Sequence, residues 1–515
     1  KHRQRNFQKQ KSYLLEYLNI GTNLLYYVSL TCIKLLNFAS KQAIKRFHHT
    51  IKKGKQQMEE IRILSTTAIL GYGFPMESFV EGMKRKPHVI AVDAGSSDPG
   101  PYYLGAGKSF TDRNSVKRDL EIMIPAGIEA KVPVIVGTAG GSGARPHVEF
   151  VLDIIREIAK EKGLSFKMAV IESEFEKDFI KEELRKGKVN PLAPAKPIGE
   201  KDVDEAVHIV AQIGEEPYIK ALEEGADVII AGRSYDPSVF AALPIKEGFP
   251  KGLAIHLGKI LECAAICALP GSGSDCMFGY LHHDDFVLEP LSSARKCTTL
   301  SIAGHTLYEK TNPYILPGPG GAINLHECKF EQVDDNKVRV SGSKFVPTDK
   351  YYVKLEGVRR VGFRTMSPAA VKDPIMISKI DEITEAVRAR VEDNFKKYGI
   401  TDFFLDFKIY GKKGVMAMFK GIEESHSDEL LIIIEAVADS QETANTICSF
   451  ARSTMLHFGY EGRYSTSGNL AFPFSPSDCK MGEVYEFNIY HLLEVDDPTS
   501  LFPITYVNFD RGECK

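Results

Sequence analysis

Most signatures of familiar chemistry are missing from this chain. No two of its nine cysteines form a Cys-x-x-Cys pair, which removes the common zinc-ribbon and dithiol motifs. Scattered cysteines point to free thiols in a reducing, cytoplasmic compartment rather than to a disulfide framework. There is no zinc or PLP signature and no Gly-x-Ser-x-Gly elbow. Low-complexity tracts and internal repeats are absent as well. The opening residues are charged and no small-residue cleavage site follows an apolar core, so no secretory signal is expected.

A net excess of positive charge is confined to one end. The net charge is −3, yet residues 1–57 carry twelve Lys and Arg against one acid, Glu16, which leaves the remainder at −14. An acidic body argues against general nucleic-acid binding, which depends on neutralising phosphates. Three readings of the basic extension stand open. Tyr13–Phe38 is apolar but broken by Glu16, Asn19, Asn23 and Lys34, and would be a membrane anchor only if residues 13–38 are native protein. "KKGKQQM" (Lys52–Met58) is what a purine-rich ribosome-binding site would spell if translated, so 1–57 also reads as non-native read-through. A solvated basic arm is the third.

What is present is a long alternation. From Met58 to about Asp285, strand patterns at Ile61–Leu64, His88–Val92, Pro133–Val136, Lys167–Ile171, His208–Val210 and Asp227–Ile230 are separated by helical ones. The helices are expected at Val116–Lys131, Pro146–Lys162, Glu174–Arg185, Pro217–Glu224, Pro237–Leu243 and Gly258–Ala268. Strands apolar on both faces suit a mostly parallel sheet covered on each side. A doubly wound open sheet is preferred, with a β/α barrel as the alternative. After Asp285 the pattern changes: a hairpin (Lys329–Gln332, Lys337–Ser341), a strand pair (Tyr351–Leu355, Arg359–Arg364) and a helix at Lys379–Lys397. Strands at Phe403–Tyr410, Val415–Phe419 and Leu430–Ala436 precede a helix from Gln441 to about His457. That order predicts a ferredoxin-like α+β domain over 286–515, with an irregular segment from Tyr460 through "RYSTSGNLAFPFSP" to Pro476, beside an α/β ligand-binding domain over 58–285.

Ligands of open α/β sheets bind at the carboxyl ends of the strands, and three loops there are unusual. "DAGSSDPGPYYLGAGKS" (Asp93–Ser109) is not a P-loop. The position five before Gly107-Lys108-Ser109 is Tyr102, and no helix follows the Lys directly. Its pliable backbone at Gly95, with Ser96, Asp93 and Asp98, can still line a ligand. "GTAGGSGARPH" (Gly137–His147) breaks the dinucleotide fingerprint at Pro146. Even so, Gly140, Gly141, Ser142 and Gly143 before a helix N-terminus suit an anion, Arg145 suits a carboxylate or phosphate, and Glu172 ends the next strand. "AGRSYDP" (Ala231–Pro237) puts Arg233 and Ser234 directly after a buried strand. Arg233 is then either half of a structural pair with Asp236 or a second carboxylate clamp. His282–Asp285, "HHDD", reads as a solvated linker, Cys263 and Cys267 as core, and Cys276 as a weak candidate nucleophile.

The blocks "DAGSSDPGPYYLGAG", "GTAGGSGA", "ADVIIAGRSYDP", "GKILECAA" and "CTTLSIAGHTLYEK", in this order, resemble the acyclic terpene utilisation (AtuA-like) family over about Met58–Pro476. The resemblance implies breakdown of branched acids as CoA thioesters, with a lyase-type step, and transfers no catalytic residue. From the residues themselves we expect a small anionic ligand, held by Gly140–Gly143, Arg145 and Arg233. Asp93, Asp98, His147 or Asp236 would act as acid or base. CoA would enter as part of the substrate, with no PLP, zinc or NAD signature. A homo-oligomer or a small partner subunit is expected, and a non-catalytic CoA- or nucleotide-binding subunit is the alternative reading.

Overall fold

The computed structural model describes residues 58–308, 310–412, 414–415, 427–464 and 467–515. The readings made of residues 1–57, and nearly all of the strand expected at Val415–Phe419, lie outside them. Glu60–Lys515 form one compact unit.

Five strands run parallel at the centre of its largest sheet, side by side as Ile61–Ser65, Val89–Asp93, Val134–Gly137, Val228–Ala231 and Phe166–Ile171. Alternate side chains (Leu64, Ile90, Val92, Val134, Val136, Val228, Ile230) pack under the helices Arg113–Ala130 and Arg145–Lys162. The intervening ones, Ile63, Ala91, Ile135 and Ile229, are equally buried, with the helices Glu215–Glu223, Ser238–Lys246 and Lys251–Leu261 on that side. Burial on both faces is why these strands read as continuous apolar runs.

The sheet has eleven strands and stays open, so the barrel alternative is set aside. It is also mixed rather than mostly parallel. Antiparallel strands flank the core, Met277–Leu281 and Asp285–Pro290 on one side and Ile504–Asp510 on the other. "HHDD" is therefore no linker but the tight turn of a hairpin, in which His282 Nδ1 lies 2.7 Å from Asp285 Oδ1 and Nε2 3.1 Å from Glu60 Oε2.

A second, antiparallel sheet orders its strands Phe404–Tyr410, Leu430–Ala438, Tyr351–Val371, Cys479–Val495 and Val189–Pro191. Helices Ile380–Lys396 and Gln441–Leu456 share a core with it. The strand pair expected around Gly357 is a single strand of 21 residues. Its register slips at Gly357/Val358 and Arg360/Gly362, so the glycines mark bulges, not a turn. The segment expected to be irregular, 460–476, holds no helix or strand among its described residues, and three strands follow it, Cys479–Val495, Ile504–Asp510 and Glu513–Cys514. Ala206–Ala211 pairs with Tyr351–Val371 instead of joining the parallel strands. The chain thus passes between the two sheets several times.

The carboxyl ends of Val89–Asp93, Val134–Gly137 and Val228–Ala231 adjoin, so the three loops meet at one rim. Glycine lets them interlock: a Cβ on Gly143, at φ +70°, would sit 1.9 Å from Arg233 N. Gly143→Ala should therefore unfold at lower urea than Gly225→Ala, where φ is +76° but nothing stands within 4 Å. The left-handed backbone alone costs Gly225→Ala about 1–2 kcal/mol, and overpacking adds roughly 1–3 kcal/mol at Gly143. Equal urea midpoints would contradict this account of the rim.

Candidate active site at the carboxyl rim of the sheet

Arg233 leaves its strand into the interior and is 3% exposed. A buried guanidinium must be paired, and this one is. Its Nε donates to Glu356 Oε2 at 2.7 Å, and its Nη1 to Asp236 Oδ1 at 2.8 Å and Ser234 O at 2.7 Å. Both readings of Arg233 thus involve carboxylates, and two of those it meets belong to the protein. Glu356, 1% exposed, comes from the Tyr351–Val371 strand of the other sheet. It also accepts from Ser97 Oγ at 2.9 Å and pairs with Lys354 Nζ at 2.7 Å. Burial alone would raise its carboxyl, but Arg233 and Lys354 outweigh that and hold it down at about 2. Its stabilisation is therefore complete above the ordinary value of 4.5 and fades as pH falls toward 2.

The first loop reaches the same cluster through Asp93, 5% exposed. Its Oδ2 accepts from Gly95 N at 3.1 Å, while Oδ1 has no hydrogen-bond partner. Burial, then the charge of Asp236, pushes this carboxyl well above its usual range, against weaker pulls from Arg233 and Thr138. Tyr218, fully buried, lies 2.5 Å from Ser234 Oγ and feels both aspartates. Asp236, its side chain 27% exposed, is the member nearest solvent. Asp98 is exposed, its N–H held by Ser96 Oγ at 3.1 Å, and lies outside the cluster's hydrogen bonds.

The second loop contributes differently. Gly140, Gly141, Ser142 and Gly143 are buried, and Thr138 Oγ1 accepts from Ser234 N at 3.3 Å. Ser173 Oγ bridges the loops by donating to Gly143 O at 3.0 Å and accepting from Arg233 N at 2.6 Å. His147 is buried, with Nε2 facing Tyr103 O at 3.0 Å and Lys108 O at 3.1 Å, so it bolts the first loop to the helix. Burial lowers its pKa. At the helix N-terminus an anion is already supplied: Glu174 Oε2 accepts from Arg145 N at 2.7 Å, and Glu174 Oε1 meets His208 Nδ1 at 2.6 Å. Arg145 itself is half-exposed and pairs with Glu176 at 2.7 Å and Glu172 at 3.5 Å. Beside it runs a groove of about 390 Å³ whose lining includes Pro146, Val148, Leu152, Val170 and Glu172.

Three participants escaped the reading of the chain. Glu356 and Lys354 lie in an ordinary-looking strand more than 110 residues from Arg233. Glu262, whose pKa is raised by burial and Asp236, sits inside the "GKILECAA" block, which carried the family resemblance but no chemistry. Cys276 is buried, and burial pushes its thiol well up. Among the described residues, no group of three or more His, Cys, Asp or Glu is arranged to hold a metal. No helix there is long and apolar enough to cross a membrane.

The model of the acyclic terpene utilisation family protein AtuA matches residues 107–269 and 286–470. This chain belongs to that family. The family match takes in the second and third loops, Glu262 and Glu356, and begins at Gly107, near the end of the first loop. No curated protein and no solved structure matches the chain.

Arg233→Met should cost about 3–5 kcal/mol, because it leaves buried Glu356 with Lys354 as its one cation and its Oε2 without the Arg233 hydrogen bond. Removing both charges in Arg233→Met/Glu356→Met should cost less than the single change. Urea denaturation of both variants measures this, and a double variant weaker than the single would contradict the pairing.

Proposed function

We propose that this chain is a catabolic enzyme that acts on a branched carboxylic acid or its acyl-CoA thioester, by an acid–base step of lyase or hydratase type. The observation that carries the reading is Asp93, a buried carboxyl with one unpartnered oxygen beside a second aspartate at the rim. Burial favours the protonated form of this carboxyl, so it serves as a general acid, while Asp236, ion-paired to Arg233 and nearer solvent, holds that arginine in place. A carboxyl raised by its surroundings is suited to the acid half of such a step.

The rest of the ligand falls to the groove next door. Its apolar floor suits a branched hydrocarbon chain. Arg145 is the anion contact there, because its pairs with Glu172 and Glu176 are exposed and weakly held, so a ligand carboxylate or phosphate can displace them. Ser234, Gly95 and Ser96 then position the reacting end. Residues 351–495 are read as a ferredoxin-like unit, supported by the strand order and the two helices on one core. The scattered cysteines support a cytoplasmic setting.

The test is turnover of a panel of branched acyl-CoAs by the purified full chain. Asp93→Asn keeps an acceptor for Gly95 N and should leave the urea midpoint near that of the parent while lowering kcat about 10²–10⁴-fold. A parent protein that saturates with acyl-CoA without forming product is a binding subunit instead. Undiminished turnover in Asp93→Asn removes the acid role.

A further inference from the structure

The rim holds a third carboxyl that the proposed function leaves unused. Glu262 caps the helix Lys251–Leu261. Ser65 Oγ donates to Leu261 O at 2.7 Å, which pins that helix end to the carboxyl end of Ile61–Ser65, the neighbour of the strand ending in Asp93. One turn earlier, Gly258 lets Pro237 O approach to 2.5 Å from where a Cβ would stand, so the same helix lies against the loop that carries Asp236.

Glu262 is 7% exposed. Its Oε1 is paired with Lys259 Nζ, and its Oε2 has no hydrogen-bond partner. The groups whose charges meet it are Lys259 on its own helix, Asp236 and Asp93 from the first and third loops, Tyr235, and Lys310 beyond the helix Thr299–Thr306. Burial first, then Asp236, raises its carboxyl to about 7 against the pull of Lys259. His305, on the Thr299–Thr306 helix, is also buried near Lys259 with Nε2 unpartnered, and burial lowers its pKa to about 4, so it is neutral. A purely structural salt bridge would have no reason to leave such buried atoms unused.

We propose that Glu262 is a catalytic carboxyl of the rim site, its free oxygen facing the ligand while Lys259 fixes the other. The inference rests on the reading of the rim as an acid–base site. In an elimination, Glu262 takes the proton from the carbon next to the thioester carbonyl, and the C–H electron pair becomes the new carbon–carbon double bond. The C–O bond to the β-hydroxyl breaks, and that oxygen leaves as water with the proton of Asp93. Hydration is the reverse. Solvent then returns a proton to Asp93 and removes one from Glu262.

Carbodiimide labelling of the full chain tests this without a known substrate. Dicyclohexylcarbodiimide adds across a protonated carboxyl that a ligand can reach, and leaves an acylurea that peptide mapping locates. At about pH 6 the adduct should fall on Glu262, should fade by about pH 9, and should form several-fold more slowly with saturating 3-methylcrotonyl-CoA. It should be absent from Glu262→Gln. No adduct on Glu262, or one formed equally at both pH values, overturns the proposal. With any acyl-CoA that is turned over, Glu262→Gln should lower kcat about 100-fold or more with KM little changed, and Glu262→Asp should recover part of it. Unchanged turnover in Glu262→Gln overturns the proposal. A protein that labels on Glu262 with protection, yet turns over no acyl-CoA, instead counts against the proposed reaction and keeps Glu262 facing the ligand.

Discussion

A single buried guanidinium joins the parts of this molecule. Arg233 ends a central parallel strand, and its two carboxylate partners come from different places: Asp236 from its own loop, Glu356 from the long strand of the other sheet. Taking such a charge out of water is costly, and only near-complete pairing offsets it. The pairing in turn fixes geometry. Glu356 holds Ser97 of the first loop, Ser173 holds both Gly143 and Arg233, and the glycines allow backbone to touch backbone. The loops are rigid because they share one set of polar partners.

That rigidity shapes the chemistry. Arg233 pulls the carboxyl of Asp93 down, but burial and then the charge of Asp236 outweigh it and raise that carboxyl. A buried carboxyl raised in this way is suited to donate a proton. The more exposed cation, Arg145, sits beside the apolar groove, paired with the surface carboxylates Glu172 and Glu176. Division of labour between a buried, saturated arginine and an exposed, loosely paired one follows from burial alone.

Much of this was legible beforehand. The parallel strands and their helices follow from apolar periodicity, and the convergence of the three loops follows from their shared place after consecutive strands. The glycines show a second use that the sequence does not mark: the same small residues that admit a phosphate also admit a neighbouring backbone, and Glu174 accepts from the helix N-terminus from within. Partners such as Glu356 could not be read, since nothing local marks a strand glutamate as the mate of a distant arginine. The strand Cys479–Val495 could have been. Its inward residues Tyr485, Ile489, His491, Leu493 and Val495 keep the period of two through much of their length.

The account turns on a proton that stays on Asp93 next to a saturated Arg233. Infrared difference spectra of the parent protein against Asp93→Asn, taken from pH 5 to pH 8, observe that proton directly. A protonated-carboxyl band missing from the variant and still present in the parent at pH 7 is the predicted result. A band already lost at pH 5, leaving Asp93 ionised throughout, would contradict the account.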